Sequence, residues 1–187
     1  MNPDDATTIA KAVAALQQGG VIAYPTEAVY GLGCDPFNAE AITKILQIKH
    51  RSFKQGFILV ADNWEQIEPL VQPIEPRTLY SILETWPGPV TWIFPARPSV
   101  PDWIRGEHQG VAVRISDHPI VKELCQQFGG PIVSTSANLH GQPAIRDART
   151  VKITFGNDID VIVDGKVGGL KKPTAIKDAV TGDIIRE

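Results

Sequence analysis

Cysteine is nearly missing. Only Cys34 and Cys125 occur in 187 residues, without C-x-x-C spacing, which excludes a disulfide framework and a cysteine-held metal. The four histidines, His50, His108, His118 and His140, have no metal-like spacing with one another or with either cysteine, so no metal ligands are predicted. There is no G-x-x-x-x-G-K-S/T stretch, and Gly31-Leu32-Gly33 is only G-x-G, so a P-loop and a dinucleotide fingerprint are both excluded. No G-x-S-x-G marks a hydrolase elbow. Cys34 reads as a small buried thiol rather than a nucleophile. Apolar runs stay well under the ~20 residues of a membrane-spanning helix. The N-terminus carries two acids before its first cation, Lys11, which does not fit a signal peptide. These absences predict a cytoplasmic protein with no membrane partner, whose chemistry proceeds without a covalent intermediate on the chain.

Excess charge is missing too. Eighteen Lys and Arg against 21 Asp and Glu leave a net charge of -3. That balance argues against sequence-blind coating of nucleic acid or anionic lipid, but permits a focused cationic cleft. An apolar share of 43% and a charged share of 21% suit an ordinary globular protein, and 187 residues suit one domain, 1–187.

Helices and strands interleave along the chain. Asp4 or Asp5 is expected to cap a helix with the stripe Ile9, Val13 and Leu16, stopped by Gly19-Gly20. VIAYP reads as a strand, TEAVYGLGCDP as a loop, and AEAITKILQIKH as a helix capped by Asn38. FILVA is a buried strand, and NWEQIEPLV and PRTLYSILETW are short helices. TWIFPA and GVAVRIS are strands joined by a loop rich in Pro and Gly. DHPIVKELCQQFG is a helix starting near Asp117 or His118, followed by strand PIVSTSA, helix ARTVKITFG, strand DVIVDG and a terminal hairpin KDAVTGDIIRE. The pattern predicts an α/β fold: a twisted, mixed open sheet with flanking helices.

Three stretches carry chemistry. Pro25 has no N–H for a ladder, so Thr26 and Glu27 stand at a strand exit, where open sheets bind ligands. Gly31 and Gly33 permit positive φ and close backbone approach; an ordinary turn is the competing reading. Ser134, Thr135, Ser136 and Asn138 cluster at another strand exit, able to serve an anion or simply to close their own turns. KHRSFKQG places Lys49, Arg51 and Lys54 at and beyond a helix end, more cation than the macrodipole alone explains. Arg supplies a planar fork and Lys a mobile point charge. Arg114 lies inside an apolar strand and needs a partner, and Arg186 sits near the chain end. Together these suggest a small ligand with more than one phosphate or carboxylate.

The motifs YPTEAVYGLGCD, Lys49-x-Arg51, WPGPVT, VAVRISDHP, STSANLHG and KPTAIKDAVTGDIIRE, in that order, resemble the YrdC/TsaC family of threonylcarbamoyl-AMP synthases, in its short single-domain bacterial form. The resemblance implies an α/β sheet around a positively charged concave cleft. It implies synthesis of threonylcarbamoyl-adenylate and pyrophosphate from L-threonine, bicarbonate and ATP, for modification of the tRNA adenosine beside the anticodon, with transferase proteins downstream. It assigns Lys49 and Arg51 to catalysis; Thr26, Arg114, Ser134 and Thr174 to threonine and bicarbonate; and Lys49, Arg51, Lys54, Ser136, Asn138 and Arg186 to ATP. Mg²⁺ would ride mainly on the phosphates with waters. Ser52 and Gln55 depart from the family pattern, which has proline and lysine there; Lys54, one place earlier, is the expected substitute. Thr174 stands where a serine is usual. Two other classes compete: a protein that reads double-stranded RNA or tRNA by shape through the same cleft, and a carbamoyl-transfer domain of larger hydrogenase-maturation proteins. Against the first stand the acidic balance and the lack of aromatics near the cations; against the second stands the compact chain.

Overall fold

A computed structural model describes residues 3–187, with side chains from Ala6 onward. Helix α1 spans Pro3–Gln17 and buries Ile9, Val13 and Leu16; the capping role expected of Asp4 or Asp5 lies outside the described side chains. Gly19, at φ 74°, turns the chain into β1, Ile22–Pro25. The stretch expected to be a loop after β1 contains a strand of its own. Residues Tyr30–Gly33 form strand β2, antiparallel to β1. Neither Gly31 nor Gly33 takes a positive φ. Their missing side chains matter instead: a Cβ on Gly33 would stand 2.6 Å from the Val133 carbonyl oxygen and 2.7 Å from the Tyr24 ring.

Helix α2, Ala39–Lys49, starts where the Asn38 side chain accepts from the N–H groups of Glu40 and Ala41. It ends at His50, in the left-handed conformation with φ 49°. That reversal breaks the helical step between Lys49 and Arg51 and sends their side chains by different routes. A 3₁₀ turn, Phe53–Gln55, leads to β3, Ile58–Ala61. The helix expected from NWEQIEPLV is two 3₁₀ turns, Trp64–Gln66 and Glu68–Leu70, because Pro69 cannot supply a helical N–H. Then come α3 (Pro76–Leu83), β4 (Val90–Pro95), the one-turn α4 (Asp102–Arg105), β5 (Gly110–Ile115) and α5 (Pro119–Phe128), capped by His118. Strand β6 (Ile132–Ser136), α6 (Ala148–Phe155), the two-residue β7 (Val161–Ile162) and the hairpin β8 (Ala175–Asp178) with β9 (Ile184–Arg186) complete the chain.

The strands form one mixed sheet in the order β7-β1-β2-β6-β3-β5-β4-β8-β9. Pairs β7-β1, β3-β5 and β4-β8 are parallel, and the others antiparallel. Because side chains alternate along a strand, each strand serves two faces. On one face Leu59, Trp92, Phe94, Val111 and Val113 meet α2, α3 and α6 in the larger core. The other face is divided. Under α1 and α5 it contributes Ile22, Tyr24, Val60 and Ile132 to a second core. Two residues further, the same rows continue as Ile58 and Ser134, which line an open cavity together with Ala112 and Arg114. The cavity floor is the uncovered half of a sheet face.

Candidate active site

The cavity has a volume of about 810 Å³. Among the described residues, its lining sets Arg51, Arg105, Arg114 and Arg186 against a single carboxylate, Asp178. Two clusters of polar side chains stand in and behind its walls.

The first centres on Arg114, only 4% exposed, one residue before the end of β5. Its Nη1 donates to Thr174 Oγ1 at 2.9 Å and more distantly to Thr91 Oγ1 at 3.4 Å. Its Nη2 lies 3.4 Å from Glu27 Oε2, and the other carboxylate oxygen accepts from Ser116 Oγ at 2.7 Å. Arg186, from β9, donates to the Thr174 carbonyl at 3.0 Å. Thr174 is thus held by one guanidinium through its hydroxyl and by another through its backbone. Burial, then the charge of Arg114, draws Arg186 below the usual guanidinium range. Thr26 is buried nearby, and its hydroxyl donates to the Val29 carbonyl at 2.7 Å.

The second cluster joins the end of α2 to the loop after β6. Lys49 Nζ donates to the Ser136 carbonyl at 2.5 Å, to Asn138 Oδ1 at 2.8 Å and to the Asn138 carbonyl at 3.1 Å. The same Oδ1 accepts from Ser136 Oγ at 2.8 Å. Burial, and secondarily the charge of Arg51, lowers Lys49 to about 8. Arg51 Nη2 donates to the Gly56 carbonyl, its Nη1 stands 3.3 Å from Thr135 Oγ1, and its guanidinium lies over the Phe57 ring, 5.2 Å from the centroid. Desolvation lowers its affinity for a proton.

Most residues singled out from sequence line this one cavity: Thr26, Arg51, Arg114 and Ser134 on the floor side, and Ser136, Asn138, Thr174 and Arg186 around them. Lys49 stands behind the wall, holding the loop that forms it. Lys54 does not reach the cavity. Its ammonium is 3.1 Å from Glu107 in an exposed pair, and Gln55 lines the cavity instead. Side chains in a 3₁₀ turn diverge by about 120° per residue, so neighbours cannot both face inward. Cys34 is buried, and desolvation raises its thiol well above the usual range. Glu27 was visible at its strand exit, but its pairing with Arg114 was not, since the two lie 87 residues apart. His108 and Asp178 carried no sequence signal. Among the described residues no cluster of three His, Cys, Asp or Glu could hold a metal, and no helix is long and apolar enough to cross a membrane.

An open α/β sheet whose uncovered face gathers hydroxyls, an amide and several guanidiniums, that of Arg114 buried, defines a binding protein for small oxygen-rich anions. Comparisons give that class a family. A model of the Sua5, YciO and YrdC proteins, described as "Telomere recombination", matches residues 14–187. The chain belongs to this family. It is 55% identical over 184 residues to a Coxiella burnetii (strain RSA 493 / Nine Mile phase I) protein named threonylcarbamoyl-AMP synthase, covering 98% of this chain and 99% of the relative. A crystal structure of P. abyssi Sua5 complexed with L-threonine matches with a TM-score of 0.85 and 32% identity over 91% of this chain, which spans half, 50%, of that longer protein. E. coli YciO matches with a TM-score of 0.84 and 28% identity, over 100% of this chain and 91% of its own.

Proposed function

We propose that this chain is a threonylcarbamoyl-AMP synthase, converting L-threonine, bicarbonate and ATP to threonylcarbamoyl-adenylate, pyrophosphate and water. The observation that carries the reading is the gathering of Arg51, Arg114 and Arg186 in one cavity of about 810 Å³, on a chain matching named synthases over nearly its full length. That volume lies in the upper part of the ~300–1,000 Å³ range of small-molecule sites.

The threonine amine and bicarbonate condense to a carbamate with loss of water. A carbamate oxygen then attacks the α-phosphorus, and the bond to the β-phosphate oxygen breaks as pyrophosphate departs. The nucleophile belongs to the substrates, so the protein acts by positioning and by neutralising charge. Arg114, supported by Thr174, Thr26 and Ser134, takes the threonine carboxylate and the carbamate. Arg51, Ser136, Asn138 and Arg186 take the nucleotide. Lys49 acts one step back by fixing the loop that carries Ser136 and Asn138. Each well-made charged hydrogen bond contributes about 1.5–3 kcal/mol, so several are required to assemble three reactants. The lone lining carboxylate among the described residues, Asp178, already accepts from the N–H groups of Val180 and Thr181. Mg²⁺ would therefore be held by phosphates and water, neutralising the departing pyrophosphate. The adenylate would pass to downstream proteins that modify tRNA.

The test is pyrophosphate release by purified protein with each reactant omitted in turn. Release that needs both threonine and bicarbonate supports the synthase. Folded protein that releases none, yet binds RNA in a salt-sensitive way, would make the cleft a nucleic-acid groove.

A further inference from the structure

Granted a synthase that binds threonine in this cavity, we propose that Glu27 is a positioning residue for the reaction: it locks the Arg114 guanidinium against the cavity wall so that one preset face meets the threonine carboxylate.

Glu27 does not line the cavity, and it is only 5% exposed. Its carboxylate is held from two sides, by Ser116 Oγ at 2.7 Å and by Arg114 Nη2 at 3.4 Å. The Ser116 hydroxyl cannot rotate away freely, because its oxygen also accepts from the His118 N–H at 3.2 Å and so turns its proton toward Glu27. The backbone is fixed as well. Gly168 N–H donates to the Thr26 carbonyl at 2.9 Å, Leu170 N–H donates to the Glu27 carbonyl at 3.2 Å, and a Cβ at Gly168 would fall 2.6 Å from that Glu27 oxygen. Glu27 is thus an immobile acceptor within a chain Ser116–Glu27–Arg114–Thr174.

This placement answers two needs. A guanidinium as buried as Arg114 requires a counter-charge, and Glu27 is the one carboxylate bonded to it among the described residues. Arg186 also approaches through Thr174, so two like charges sit at one end of the cavity. Glu27 offsets their repulsion while leaving both facing the ligand. The functional gain is orientation. Arg114 arrives with its rotamer already chosen, and threonine need not order it on binding.

Positioning and simple charge compensation predict opposite signs. If Glu27 were only a counter-charge near an anion site, neutralising it would tighten threonine. If it positions Arg114, neutralising it weakens threonine. In Glu27→Gln we expect the KM for threonine to rise about tenfold, with the KM for ATP within about twofold. Direct threonine titration by calorimetry should show the same shift. On an Arg114→Ala background, Glu27→Gln should add no further loss, since its effect passes through Arg114. Ser116→Ala, which frees the carboxylate without removing charge, should raise the threonine KM several-fold and carries the test if Glu27→Gln does not fold. An unchanged or lowered threonine KM in a folded variant, or additive losses with Arg114→Ala, would overturn the positioning role alone. Wild type that releases no pyrophosphate would remove the synthase reading itself, and this proposal with it.

Discussion

The ammonium of Lys49 is bound at 2.8 Å to Asn138 Oδ1, across 89 residues of sequence, so the last residue of α2 sets the shape of the loop after β6. Replacing it with methionine keeps the length but removes every donor. Lys49→Met should lower kcat/KM about 100-fold, chiefly through the KM for ATP, and lower stability by about 1–3 kcal/mol, because the part-buried acceptors of the loop lose their partner. Pyrophosphate release and thermal melting check the two parts.

The same residue gives a pH signature. Lys49 is lowered to about 8 in the folded chain from 10.5. Between these values the unfolded chain still holds a proton that the folded chain has released. Stability owed to this group therefore rises with pH across that window. The loop, however, loses its charged donor. Activity should fall above pH 8 while the melting temperature of wild type, relative to Lys49→Met, moves upward. A free threonine amine becomes more abundant in the same range, so declining activity cannot be attributed to the nucleophile.

Lys54 and Gln55 can be told apart. Lys54 sits in an exposed pair with Glu107. Lys54→Ala should leave turnover within about twofold and stability within about 0.5 kcal/mol, as exposed pairs contribute little. Gln55→Lys adds a cation to the cavity lining and should lower the KM for ATP several-fold, with a steeper loss of affinity as salt rises. Initial rates at two salt concentrations distinguish the outcomes.

Arg51 uses both a fork and a flat face, bonding to Thr135 and Gly56 while covering Phe57. Lysine cannot reproduce that geometry. Arg51→Lys should therefore retain the fold yet lose about 100-fold in kcat/KM, nearly as much as Arg51→Ala. Recovery of wild-type rates in Arg51→Lys would mean that charge alone suffices.

Gly33→Ala forces a methyl against the Val133 carbonyl and the Tyr24 ring and should cost about 1–3 kcal/mol. Gly31→Ala meets its nearest atom, Ser134 Oγ, at 3.4 Å, an ordinary contact, and should cost less than about 1 kcal/mol. Chemical denaturation of both variants makes the comparison.

Local chemistry was legible where its cause was local. Asn38, Gly129 and the terminal hairpin act within a few residues, and the sequence pattern placed them. Strand β2 was hidden because Tyr30–Gly33 contains two glycines that disfavour a strand on their own. At Gly33 a side chain would have no room, because the Tyr24 ring and the Val133 carbonyl occupy it. The short α4 carries too few residues for a helical period. At the site, residue types were readable but directions were not. Whether Lys54 or Gln55 faced inward depended on the phase of a 3₁₀ turn, and whether Lys49 met a ligand or a loop depended on Asn138. Glu27 needed the register of strands far apart in the chain.

That register has a consequence for folding fidelity. Arg114 pairs with Val60 across β3 and β5, and its neighbour Val113 points into the larger core. A slip of one residue in β5 would exchange them, driving a guanidinium into hydrocarbon beyond the reach of Glu27 and leaving valine where the anion belongs. Misregistered sheets are thereby penalised by the same charge that serves the ligand. Selection for the chemistry of the cavity also proofreads the assembly of the sheet beneath it.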